Sequence, residues 1–157
     1  MATIPLACRC GDMAGSAADI TPTSGNRIVC CCTDCQAFAA WLGPDAGALD
    51  AFGGTDIYQA PASSIAIDRG QDRLRSMRLS EKGLIRWYAG CCNTPIGNTV
   101  NARLPFVGLI HTFIDLDDRD AVPGPSGWPC RSDTPRVFPT VRSGRPGFRS
   151  GSPPASR

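Results

Sequence analysis

Residues 30–36 read Cys30-Cys31-Cys32-Thr33-Asp34-Cys35-Gln36, which places four cysteines in six positions of a chain that has nine in all. In an extended strand residues i and i+2 project to the same face, so Cys30 and Cys32 point together and Cys31 is sent to the other side. Cys32-Thr33-Asp34-Cys35 then forms a C-x-x-C turn, a short ligand spacing of tetrahedral zinc sites, where thiolates bind at about 2.3 Å. Cys30, Cys32 and Cys35 become three convergent thiols. Three protein ligands leave a zinc ion with an open position, whereas structural sites close with four.

The other cysteines sort by the same logic. Cys8-Arg9-Cys10-Gly11 puts two thiols on one face of a strand with Arg9 opposed, and Cys91-Cys92-Asn93-Thr94-Pro95 supplies a further pair. Cys8, Cys10, Cys91 and Cys92 are therefore expected to form a four-ligand site joining the first strand to one far along the chain. Such a site contributes on the order of 10 kcal/mol to folding, comparable to the whole stability of a domain. Cys130 stands alone in a different kind of sequence and is set aside.

A secretory signal needs a basic n-region and an apolar run, and MATIPLACRCGDMAG has neither. No stretch reaches the ~18 apolar residues of a membrane helix. The expectation is a cytoplasmic protein, in which clustered cysteines serve metals or redox chemistry more often than disulfides. The competing readings are buried core cysteines, a strained disulfide between adjacent cysteines, and a C-x-x-C redox pair. The spacing fits none of the usual iron–sulfur runs.

The net charge of +2 hides an asymmetry: residues 1–120 carry ten Lys or Arg against thirteen Asp or Glu, and residues 121–157 carry six Arg against one Asp. The first part is thus not a basic nucleic-acid binder. Residues 121–157 hold eight Pro, five Gly and six Ser without apolar periodicity, a composition that cannot bury enough apolar area to offset ordering. They read as a disordered tail after a domain spanning 1–120; the bias also fits a shifted reading frame after about residue 120. Within the domain IPLACRC, RIVCCC, TDIYQ, SSIAIDR, RLRSMRLS, LIRWYAG and FVGLIHTFID read as strands. Only Asp34 to Leu42 looks helical, with Ala37, Ala40 and Trp41 at helical spacing and Gly43-Pro44 as its stop. The fold class is all-β, with short antiparallel sheets and little helix.

The three cysteine blocks resemble those of the glutathione-dependent formaldehyde-activating enzymes and their centromere protein V relatives, zinc proteins with an all-β tent fold. The family pattern is CxCG, then CHCxxC, then FCxxCGTPL after a strand. Here Cys8-Arg-Cys10-Gly11, Cys30-Cys-Cys32-Thr-Asp-Cys35 and Tyr88-Ala-Gly-Cys91-Cys92-Asn-Thr94-Pro95-Ile96 stand in that order, and the likeness covers residues 6 to 115. The resemblance implies two zinc ions: an open one at Cys30, Cys32 and Cys35, near which a glutathione thiol or its hydroxymethyl adduct is handled, and a structural clasp. Two positions depart from the pattern. The family histidine of the second block is Cys31, and the first cysteine of the third block falls on Ala89, leaving Cys92 aligned and Cys91 as its replacement partner.

Other groups have plainer readings. His111 is the one histidine, expected as a satisfied sheet residue on a face with Leu109 and Phe113. Gly53-Gly54 reads as a turn, Asp34 as a turn former or a proton acceptor, and Arg69, Arg73, Arg75, Arg78 and Arg86 as a solvated strand face, one of which meets glutathione carboxylates if the resemblance holds. Two functions stand side by side: a carbon–sulfur lyase acting on glutathione–aldehyde adducts, and a non-catalytic zinc-stabilised adaptor in which a fourth ligand such as Cys31 closes the second site.

Overall fold

The computed structural model describes residues 2–21, 23–101 and 103–116. The proline-rich stretch from 121 onward lies outside them. The described chain is mostly β: β1 (Ala2–Ala7), β2 (Ala14–Ile20), β3 (Asn26–Cys30), helix α1 (Thr33–Leu42), β4 (Thr55–Pro61), β5 (Ile65–Arg69), β6 (Leu74–Met77), β7 (Ile85–Ala89), β8 (Pro95–Thr99) and β9 (Phe106–Ile110). The strands form two antiparallel sheets, a small one ordered β1-β2-β5 and a six-stranded one ordered β3-β4-β9-β8-β7-β6. No helix is long and apolar enough to cross a membrane.

The large sheet is covered on both faces, which is why its strands alternate between two cores rather than between core and solvent. On one side Tyr58, Ala60, Ala89, Ile96 and Leu109 pack against Ile4, Leu6, Ala17 and Ile20 of the small sheet. On the other side Ile57, Met77 and Ile110 pack against Cys35, Phe38 and Leu42 of α1. The buried stripe of α1 is therefore Cys35, Phe38, Ala39 and Leu42, and the expected stripe through Ala40 and Trp41 faces outward. Trp41 stacks along Phe38 and meets Tyr88 edge-on, their ring centroids 6.4 and 5.1 Å away.

Two strands carry no sequence signal. Ala14–Ile20 is poor in β-branched residues, yet it is the central strand of the small sheet and is paired on both edges. Pro95–Thr99 contains the Pro and Gly that read as turn signals; Pro95 opens the strand, a position where its missing N–H is tolerated. Gly97 is demanded by packing, since a Cβ there would lie 2.8 Å from the Gly108 carbonyl oxygen and 3.2 Å from Val107 Cγ2.

Several expected strands are shorter than the sequence suggests, two of them at residues singled out above. β1 ends at Ala7 and β9 at Ile110, so Cys8 and Cys10 lie in the turn after β1, and His111 begins a 3-10 turn over His111–Phe113. The expected strand face of Leu109, His111 and Phe113 is thus broken. His111 is nonetheless buried and satisfied, with Nδ1 donating to the Asp56 carbonyl at 3.2 Å. Gly97→Ala should lower stability by about 1–3 kcal/mol through overpacking, measured by urea unfolding at matched metal content; an unchanged midpoint would contradict the close approach of β8 and β9.

Candidate metal centres

Each of the two cores carries one cysteine cluster. Cys8, Cys10, Cys91 and Cys92 bring their sulfurs within 4.8 Å of one another, and Cys30, Cys32 and Cys35 do the same. The seven cysteines named as the two ligand sets fall in these same two groups. Cys31 does not join the three-sulfur group.

The four-sulfur cluster is built from two turns. The β1–β2 turn is closed by Cys8 N–H to the Met13 carbonyl at 2.9 Å and Gly11 N–H to the Cys8 carbonyl at 2.8 Å, with Gly11 at φ 79°. A turn, and not strand alternation, brings Cys8 and Cys10 together. The second turn follows β7: Cys92 and Asn93 amides both reach the Ala89 carbonyl, at 3.4 and 2.8 Å, and Asn93 takes a left-handed φ of 58°. Asparagine tolerates that conformation better than most residues. This sharp reversal lets adjacent Cys91 and Cys92 face one point, as the sequence reading requires.

Thr94 locks the two turns together. Its hydroxyl oxygen accepts from the Arg9 amide at 3.0 Å and lies 3.0 Å from Cys92 Sγ, while the Arg9 guanidinium donates to the Cys92 carbonyl at 3.1 Å. The Met13 amide donates to Cys8 Sγ at 3.2 Å. The sulfur separations are 3.5 Å for Cys8–Cys10, 3.8 Å for Cys8–Cys91, 3.4 Å for Cys10–Cys91 and 3.8 Å for Cys91–Cys92. Four thiolates about 2.3 Å from a central ion are ~3.8 Å apart along each tetrahedral edge. The residues present therefore fit a tetrahedral metal ion.

The three-sulfur cluster sits where β3 hands over to α1. Cys30 ends the strand, and Cys32 is still extended, at φ −71° and ψ 156°, so the expected alternation survives two residues beyond the strand. Cys32 is the N-cap of α1, its sulfur accepting from the Cys35 amide at 3.4 Å, a place usually held by Ser, Thr, Asp or Asn. One helical turn brings Cys35 back beside it. The Cys30 and Cys32 sulfurs are 3.4 Å apart.

Arg86 overturns one expectation. It does not belong to a solvated face but lies buried beneath this cluster, Nη1 3.9 Å from Cys35 Sγ and 3.4 Å from Asn98 Oδ1, with the guanidinium 5.3 Å from the Phe38 ring centroid. Asp34, in the first turn of α1, approaches Nη2 at 3.8 Å and remains exposed. The six-stranded sheet decides this: Arg86 is the cross-strand partner of Asn98, on the face that α1 covers. Neither Arg86 nor Thr94 is marked in the sequence. A lone Arg in LIRWYAG, between Ile85 and Trp87, is the faint signal that was available. Gly53-Gly54 does form a turn, with Asp50 Oδ1 accepting from the Phe52 and Gly54 amides at 2.8 Å each.

The thiols divide their protons unequally. A hydrogen bond from the Cys35 thiol, supported against burial by the Cys32 amide and thiol and by the Arg86 charge, holds Cys30 at about 5. The same bond, with burial, pushes Cys35 upward. Burial likewise pushes Cys91 up. It acts to raise Cys92 as well, where hydrogen bonds from Thr94 and the Cys10 amide overcome it and bring the thiol to about 6. In each cluster the surroundings thus favour the thiolate at one cysteine and the protonated thiol at another.

Residues 1–129 match a protein family described as a family of unknown function (DUF6151), and the chain belongs to it. No curated protein matches. A solved protein from Rhodobacter sphaeroides shares the fold, at 17% identity and a TM-score of 0.51, over 78% of this chain and 99% of that one. Neither match names the glutathione-dependent formaldehyde-activating or centromere protein V families.

Because Cys35 and Cys91 keep protons that a bound metal must displace, adding Zn²⁺ to the reduced, metal-free protein at pH 7 should release protons. The apparent affinity should weaken as the pH falls. Proton release followed with a pH dye in weak buffer checks this, and metal binding without proton release would contradict it.

Proposed function

We propose that this member of a family of unknown function is a two-zinc protein, with a structural ion at Cys8, Cys10, Cys91 and Cys92 and a working ion at Cys30, Cys32 and Cys35. The observation that carries the proposal is the difference between the clusters: four sulfurs gather in one and three in the other, and no further Cys, His, Asp or Glu joins the three among the described residues. Closed and open zinc sites differ in this way. A zinc ion at the trio would supply Lewis acidity and favour the thiolate form of a thiol ligand.

The function that fits is a carbon–sulfur lyase acting on glutathione adducts of small aldehydes, in line with the family resemblance of the three cysteine blocks. In the forward direction a thiol sulfur bonds to the aldehyde carbon and the thiol proton ends on the new hydroxyl; the reverse breaks the same C–S bond. The chain's own contribution is to position and to move a proton. Asp34 is the exposed carboxylate between Cys32 and Cys35, placed to accept a thiol proton in the absence of the family histidine. The Asp50–Gly54 turn flanks the trio, held by the Gln36 amide donating to the Gly53 carbonyl at 3.4 Å.

The purified, reduced chain should contain two zinc equivalents. Cys8→Ser or Cys92→Ser should reduce folded yield severely, whereas Cys35→Ser should lose one metal at a smaller stability cost. Glutathione should perturb the visible spectrum of the cobalt-substituted protein and leave that of Cys35→Ser unchanged. Two inert, four-sulfur spectra would favour the non-catalytic adaptor, and zinc content near zero would sink both readings.

A further inference from the structure

Arg86 is the buried charge that a lyase reading does not use. Its side chain is 2% exposed, so it cannot reach a substrate carboxylate in solvent. A cation withdrawn from water is costly unless an opposite charge meets it. The nearest carboxylate, Asp34, is 3.8 Å away and 64% exposed, where solvent screens the attraction. The other contacts are the neutral Asn98 amide oxygen and the Phe38 ring. What faces Arg86 at its own depth is the buried Cys35 sulfur at 3.9 Å, with the half-buried Cys30 and the exposed Cys32 grouped around it.

A divalent ion held by three thiolates carries one net negative charge, and the guanidinium beside it brings the sum to zero. A fourth ligand that is itself an anion then leaves the centre with a single negative charge, where without Arg86 it would carry two. A neutral ligand gains nothing comparable. We infer that Arg86 is a specificity-determining residue that makes the open position of the Cys30–Cys32–Cys35 centre favour an anionic sulfur ligand, a small thiolate, over a neutral nitrogen ligand. This rests on the proposed metal ion at the trio.

Asn98 provides the means to separate charge from packing. It is buried, it pairs across strands with Arg86, and its Oδ1 accepts from Nη1. Asn98→Asp keeps the shape and the guanidinium but cancels its charge; Arg86→Met removes the charge and keeps most of the volume. The full chain would be loaded with Co²⁺, its occupancy at the trio confirmed by comparison with Cys35→Ser, and titrated with 2-mercaptoethanol and, separately, with imidazole. Visible absorption gives both affinities. Thiolate affinity should fall at least about 10-fold in both variants, as expected for a nearby charge in a partly screened interior, with imidazole affinity changing by less than about 2-fold.

Equal losses for the two ligands in Arg86→Met would make the guanidinium a packing group and overturn the inference, as would unchanged thiolate affinity in Asn98→Asp. Should Arg86→Met fail to fold, Asn98→Asp decides alone. Normal cobalt occupancy without charge dependence overturns only the role of Arg86. An absence of cobalt at the trio of the wild-type chain overturns the metal reading and this inference with it.

Discussion

The junction of four sulfurs between the two sheets is the constraint on which the architecture turns. Cys8 and Cys10 come from the loop that closes the first hairpin of the small sheet, and Cys91 and Cys92 from the reversal between β7 and β8 of the large one. Below the sulfurs lies the larger core, in which Leu6, Met13, Ala89 and Phe113 are buried. Packed thiols offer one another only weak hydrogen bonds, and the sulfur–sulfur contacts of 3.4 to 3.8 Å are those of a group that could hold one metal ion. Sequence-distant contacts are entropically costly to form, and a metal bound at the four sulfurs would offset that cost.

The second cluster obeys different physics. It is assembled locally, from the end of one strand and the first turn of the helix that follows, so its geometry needs little from the rest of the chain. The N-terminus of α1 adds a positive field that favours thiolate, and Arg86 adds a full charge from beneath. A side-chain bond links the segments that carry the two centres: Asn93, which turns the chain after Cys92, donates its side-chain amide to the Leu42 carbonyl at the end of α1, at 3.2 Å. That carbonyl is one of those a helix leaves unpaired at its C-terminus. The large sheet thus has the four-cysteine cluster on one face and the three-cysteine cluster on the other.

The strands rich in β-branched residues, the helix after Cys32 and its stop at Gly43 were all legible locally. So was the division of seven cysteines into a four and a three, because the spacing of C-x-C and C-x-x-C restricts which sulfurs can converge. The strands Ala14–Ile20 and Pro95–Thr99 were not. Their residues are chosen for close backbone approach, as at Gly97 against Gly108, and a small residue that permits contact looks in sequence like one that permits a turn.

The sequence by itself determined an all-β chain with two thiol clusters, since period, turn residues and ligand spacing act over a few neighbouring positions. Tertiary structure alone decided that Cys8 and Cys10 meet through a turn, that Asn93 and Thr94 fold the Cys91–Cys92 pair onto them, and that Arg86 is buried under the trio. The physical reason is the coverage of both faces of the six-stranded sheet. With α1 on one side and the small sheet on the other, alternation along β7 no longer separates inside from outside, and an arginine expected in water becomes the charge that faces three sulfurs.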